Sequence, residues 1–238
     1  MRTDTKPARI VVPLLGMLLV GGCTWGFGGS EGEIPAMHRN LSKTVDIQTG
    51  VVQGDLGKAQ KAAAWLLDRE DEMVVPPEGV EYQRAMLSSA ARIMEAAELR
   101  TVAMETGHLA GGCGSCHLAV KAGPRFVVGN EAPSGTSQEA QMIRHLWAAD
   151  RMWEGLVGPS DQAWEAGAKA MAETQPALAR VFRASTSMAE PEGFLREVNS
   201  LANEATTATS LAEKADVYGR LLNTCNRCHS PAGIMVEK

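Results

Sequence analysis

The pattern Cys-x-x-Cys-His occurs twice, as Cys113-Gly114-Ser115-Cys116-His117 and as Cys225-Asn226-Arg227-Cys228-His229, at an offset of 112 residues. Neither copy stands alone. At the same offset Leu99, Ala103, Gly107 and Leu109 recur as Leu211, Ala215, Gly219 and Leu221. Pro77-Glu78-Gly79 recurs as Pro191-Glu192-Gly193 at offset 114, and Met37, Arg39, Leu41, Gly50 and Val52 recur as Met142, Arg144, Leu146, Gly155 and Val157 at offset 105. Three anchors in one order, separated by small insertions, mark an internal duplication. The chain has to fold as one unit used twice.

The pentapeptide constrains chemistry as well as fold. On a helix, residues i, i+3 and i+4 share one face, so two thiols and an imidazole converge on whatever lies there. That spacing is the attachment signature of c-type haem, in which two cysteines bond one porphyrin and the histidine meets the iron. Other uses of Cys-x-x-Cys fit less well. A zinc ribbon keeps its two pairs within roughly 15–20 residues of each other, whereas Cys116 and Cys225 are 109 residues apart. A thioredoxin-like motif calls for a βαβ context, and no strand pattern flanks either copy. Structural disulfides suit an exported chain but do not explain a histidine after each pair.

The surrounding segments read as helix. Ala, Leu, Met, Glu, Lys, Gln and Arg dominate, as in the run from Ala59 to Ala64. Helices are expected near 37–53, 55–71, 79–95 and 97–120, and again near 138–157, 160–187, 191–207 and 209–230. Gly54, Pro76-Pro77, Gly158-Pro159 and Pro191 punctuate them. Ser160 or Asp161 is placed to cap a helix, and Pro176 to kink or split one. In the last helix of each unit a stripe runs Leu99, Ala103, Thr106, Ala110, Cys113, His117, and its counterpart Leu211, Ala215, Tyr218, Leu222, Cys225, His229. The core-facing side therefore continues into the cofactor-binding side. Gly107 and Gly219 inside these helices point to close approach of a backbone or of the porphyrin. With only 5% aromatic residues, an all-α chain of 238 residues fills its centre with Leu, Ala and Met, or with a group that is not an amino acid.

Charge and the N-terminus narrow the setting. The net charge of −5 argues against a nucleic-acid binder, and no run beyond the first twenty-odd residues is long enough for a membrane span. Arg2, Lys6 and Arg9 precede an eleven-residue apolar stretch, Ile10 to Val20, and then Gly21-Gly22-Cys23. This is the layout of a secretory signal peptide, and Val20 to Cys23 resembles the lipobox of bacterial lipoproteins, which makes Cys23 the acylated residue. Removing residues 1–22 takes away three basic side chains and one acidic one, moving the net charge to −7. The organisation expected is a signal peptide (1–22), a lipid-anchored tether (23–36), a first haem unit (37–120), a Gly- and Pro-containing linker (121–136) and a second haem unit (137–238).

With these residues in view, the chain resembles the cytochrome c′/c-556 family, antiparallel four-helix bundles with Cys-x-x-Cys-His near the end of the fourth helix. The stretch from Met142 to Asp161 is also similar to one found in exported tandem haem proteins. The resemblance implies two tandem four-helix bundles, each with one covalent haem c. Cys113, Cys116, Cys225 and Cys228 become the thioether residues, and His117 and His229 the proximal iron ligands. In that family the distal side comes from the first helix. Met37 and His38 are the ligand-capable residues there in unit one and Met142, His145 and Met152 in unit two, where Met142 and His145, the distal candidates, share the stripe that could reach the iron. Methionine ligation, histidine ligation and an open site all remain in play. Arg39 and Arg144 are either partners for haem propionates or solvated surface groups, and His108 has no counterpart beyond Arg220.

The expected function is electron transfer rather than enzymatic turnover, by a protein exported to the periplasm or cell surface and held to a bacterial membrane through Cys23. Its acidic balance suits a basic redox partner, and the relatives' habit of pairing makes a homodimer a further expectation. The alternative is a binding or sensing protein for NO, CO or O2 through an open distal site, with weak peroxide reduction a third option. No Ser-His-Asp set, phosphate loop or carboxylate pair suggests another enzyme class.

Overall fold

The computed structural model describes residues 33–126, 131–173 and 191–229. Among these residues the structure is all-helical. Its elements are α1 (Glu33–Gln53), α2 (Leu56–Leu67), 3-10 turns at Glu70–Glu72 and Pro77–Gly79, α3 (Val80–Glu95), α4 (Leu99–Ala119), α5 (Gln138–Val157), α6 (Asp161–Ala172), α7 (Pro191–Ala205) and α8 (Leu211–His229). No described helix is long and apolar enough to cross a membrane. The expected signal peptide, the lipidation at Cys23, most of the tether and Pro176 lie outside the described residues.

Local chemistry sets the helix ends. Asp55 caps α2 by accepting the Lys58 N–H at 2.8 Å, and Ser160 caps α6 by accepting the Ala163 N–H at 3.2 Å. These caps are the same position of the two units, 105 residues apart. At α8 the Ser210 hydroxyl accepts the Glu213 N–H at 3.2 Å, while the Glu213 carboxylate accepts the Ser210 N–H at 2.9 Å and the Thr209 N–H at 3.0 Å. That reciprocal pair is a capping box, and it holds Glu213 down to about 2, below the usual carboxylate range.

Three boundaries differ from expectation, the first being α6, expected to run to 187, which ends at Ala172, ahead of Pro176. Helix α1 begins at Glu33 rather than 37, with Pro35 in a first turn whose N–H groups have no helical partner in any case. Helix α2 stops at Leu67 instead of running to 71. Asp68, Glu70, Asp71 and Glu72 follow it, and four carboxylates oppose the negative end of the helix dipole.

Consecutive helices pack on one another within each half, and α1 returns to α4 as α5 returns to α8. The duplication is visible in atomic contacts. A Cβ on Gly50 would lie 2.9 Å from the Ala59 nitrogen, and one on Gly155 would lie 2.7 Å from the Trp164 nitrogen. Both first-to-second helix hairpins therefore close at the same glycine.

The halves meet through α4 and α8. Gly107 faces Ala215, Gly111 faces Leu211 and Gly219 faces Met104, so numbering rises on one helix as it falls on the other. A Cβ on Gly107 would reach within 2.2 Å of the Ala215 carbonyl oxygen, and one on Gly219 within 3.1 Å of the Ala103 oxygen. Of the two approaches expected at these glycines, the structure shows that of backbone to backbone. Helices α1 and α5 each touch both α4 and α8, so these four form the interior and the pairs α2/α3 and α6/α7 flank it. One apolar cluster runs through both halves, from Ile47, Val51, Ile93 and Leu109 to Met152, Leu156, Trp164, Tyr218 and Leu222.

Candidate functional site

Each Cys-x-x-Cys-His segment lies at the C-terminal end of its helix, in α4 and in α8. The stripe read from sequence behaves as expected. Ala103, Thr106 and Ala110 are buried on α4, and Ala215, Tyr218 and Leu222 on α8, while the Cys113, His117, Cys225 and His229 that continue them are half-buried. Tyr218 is fixed in that stripe, with its hydroxyl accepting from Gln48 Nε2 at 2.6 Å and its ring 5.7 Å from Trp153.

All four described cysteines are free thiols. Cys116 is buried, with Sγ 3.9 Å from the Gly79 carbonyl oxygen in the turn before α3. Burial, reinforced by the neighbouring thiol of each pair, pushes Cys113 and Cys225 up to about 12. Both are neutral thiols at physiological pH. The reactivity of a thioredoxin-type motif rests on a thiolate, so the arrangement lacks the lowered thiol pKa of that chemistry.

The histidines are held in a form able to bind a metal. Burial keeps the His117 and His229 imidazoles below their ordinary pKa. His117 Nδ1 lies 2.7 Å from the carbonyl oxygen of Val157, the last residue of α5. A carbonyl only accepts, so Nδ1 carries the proton and Nε2 keeps its lone pair, the tautomer an axial ligand needs. The ring also meets Gly123 (φ +135°), where a Cβ would stand 2.6 Å from the imidazole Cγ.

These contacts cross between the halves in reciprocal fashion. Gly114, inside the first motif, abuts the Leu156 carbonyl of α5, and Asn226, its counterpart, donates from Nδ2 to the Val51 carbonyl of α1 at 2.9 Å. Val51 and Leu156 are themselves equivalent at offset 105.

Of the four distal candidates, His145 is tied to a motif histidine. Its pKa falls to about 4 through burial first, with the charges of His229 and then Arg144 adding to it. Met37 and Met142 are half-buried, and His38 is exposed. Asn40 stands where His145 does, 105 residues earlier. It is 8% exposed, and its Nδ2 has no hydrogen-bond partner among the described residues.

Arg144 departs from the sequence reading, whereas Arg39 is the exposed surface group that was one of its alternatives. Arg144 is half-buried and holds the end of α6, donating to the Ala170 carbonyl at 3.2 Å and pairing with Glu173. Arg39 pairs with Glu72 at 3.7 Å. His108 sits 3.5 Å from Glu105, one turn away on the same helix.

Sequence reasoning passed over Val157, Gly123 and Asn40. Asn40 had a signal, because the offset that pairs Met37 with Met142 also pairs it with His145. Val157 acts through its main chain, which no side-chain pattern reveals.

The donor set suits a porphyrin, which brings four nitrogens of its own and asks the protein for thiols and one or two axial ligands. Among the described residues no group of three or more His, Cys, Asp or Glu converges to hold a bare metal ion. Compared with models of protein families, with curated proteins and with solved structures, the chain matches none.

Proposed function

We propose that the chain is a dihaem c-type electron-transfer protein, built as two tandem four-helix units of cytochrome c′ type. The observation that carries this reading is the same on both helices. Cys-x-x-Cys-His ends α4 and α8 in helical register, with unpaired thiols and half-buried histidines beside them.

Cys113 and Cys116 would hold one haem and Cys225 and Cys228 the other, with His117 and His229 as axial ligands. Bound haem supplies one-electron iron chemistry. The chain's own residues do the rest. The Val157 carbonyl keeps the Nδ1 proton of His117 and leaves Nε2 bare, and the stripes beneath each motif exclude water. His145, whose charged form is disfavoured by burial and by nearby His229, would be the second histidine available to that haem. In this reading Cys23 carries a lipid anchor after export, and the acidic surface receives a basic redox partner.

The test is export of the chain together with haem-attachment machinery. Two covalent haems by intact mass and by pyridine haemochrome absorbance are expected. Cys113→Ala with Cys116→Ala should leave one, as should the matching pair at Cys225 and Cys228. A colourless protein of unmodified mass refutes the reading.

Asn40 supports a second reading for the first unit, as a binding site for a small gas. It replaces the ligand-capable His145 with a group that cannot bind iron but can donate a hydrogen bond to a bound diatomic. Carbon monoxide binding to the reduced protein at one haem, and not at the other, is the outcome that favours it.

A further inference from the structure

We propose that the C-terminal end of α5 is the positioning device for His117, so that the axial ligand of the first unit is set by the second unit. The inference rests on the haem reading above and deepens it. Two observations carry it independently. The Val157 carbonyl oxygen lies 2.7 Å from His117 Nδ1, and the Gly123 backbone packs against the same ring, so that an added Cβ would stand 2.6 Å from Cγ and 3.0 Å from Nδ1.

The acceptor is itself well fixed. Helix α5 ends as the Gly158 N–H bonds the Glu154 carbonyl at 2.9 Å and the Ser160 N–H bonds the Gly155 carbonyl at 3.1 Å. Leu156 and Val157 are buried in the shared core. The Leu156 carbonyl presses on Gly114 within the motif, where a Cβ would come to 2.1 Å. Two successive carbonyls of one helix end thus grip the motif, one at its backbone and one at its imidazole. A carbonyl that accepts the Nδ1 proton makes the imidazole a more basic ligand and fixes its plane. In the first unit Val51, the equivalent of Leu156, receives Asn226 of the second motif.

The experiment has two parts. Nitrogen-15 NMR of the histidines in haem-free protein reports the tautomer without any substitution, and His117 in the Nδ1–H form is expected. The Nε2–H form, or an averaged signal, overturns the proposal. In haem-loaded protein Gly123→Ala forces the ring off the carbonyl. The expected result is an iron–histidine stretching band moved to lower frequency and a more positive reduction potential, at the first haem alone. An unchanged band and potential, or equal shifts at both haems, overturns the proposal while leaving the haem reading standing. Protein that takes up no haem overturns the haem reading, and this inference with it.

Discussion

Single side chains in this molecule are adjusted mainly by burial, and Glu154 shows the consequence most directly. Burial, with Asp150 adding to it and Arg151 opposing it, pushes its carboxyl up to about 7. The folded protein therefore keeps a proton, between the ordinary carboxylate range and neutrality, that the unfolded chain has released. By linkage, stability falls as pH rises through that window. Glu154→Gln should flatten the slope through that window, read from urea midpoints at several pH values. Glu213 has the opposite sign. Its capping hydrogen bonds hold it low, so its contribution is complete above the ordinary carboxylate range and is lost as pH falls toward about 2. The same scale decided what was legible in sequence. His117 and His229 announced themselves by spacing, whereas Asn40 carries no motif and is found only by aligning the chain with itself. Arg144 looked available because sequence gives no sign of the Glu173 carboxylate and Ala170 carbonyl that occupy it.

Helices reveal a second kind of constraint, the close crossing. Placing a Cβ at Gly107, 2.2 Å from a carbonyl oxygen of α8, costs about 1–3 kcal/mol in overpacking or forces the helices apart. The gain in helix propensity, roughly 1 kcal/mol, offsets only part of that. Gly107→Ala should lower the denaturation midpoint, and Gly219→Ala should do the same because it faces the reciprocal contact. Ser160→Ala should cost about 1 kcal/mol through loss of the α6 cap, measured by the same titration. Element existence was readable because alanine, leucine and punctuating glycines set it locally. The early stop of α2 was less so, since the helix-forming residues continue past Leu67 and it is the sign of their charge that ends it. The α4/α8 crossing was half legible. The glycines implied contact with a backbone or a porphyrin, and only the fold distinguishes the two.

Across the whole molecule the duplication did not produce two separable beads. One apolar cluster joins the halves, α1 and α5 each touch both motif-bearing helices, and hydrogen bonds such as Gln48 to Tyr218 and Asn226 to Val51 link residues 170 and 175 positions apart. A cooperative unit of this kind should melt in one calorimetric transition with equal van't Hoff and calorimetric enthalpies. Two resolved transitions would contradict the shared core. The expectation of tandem units captured the repeat of hairpins and motifs but had no means of seeing their mutual wrapping, because the atoms responsible are largely carbonyl oxygens and missing side chains.

The reach of Val157 to His117 also has a bearing on biogenesis. A chain delivered N-terminus first presents His117, with Cys113 and Cys116 just before it, 40 residues ahead of the carbonyl that steadies its imidazole. In the haem reading proposed above, attachment at the earlier pair and completion of its surroundings would be separate events in time, the second waiting on arrival of the later half of the polypeptide. A stalled or truncated product would emerge with its thiols ready and its histidine unsupported.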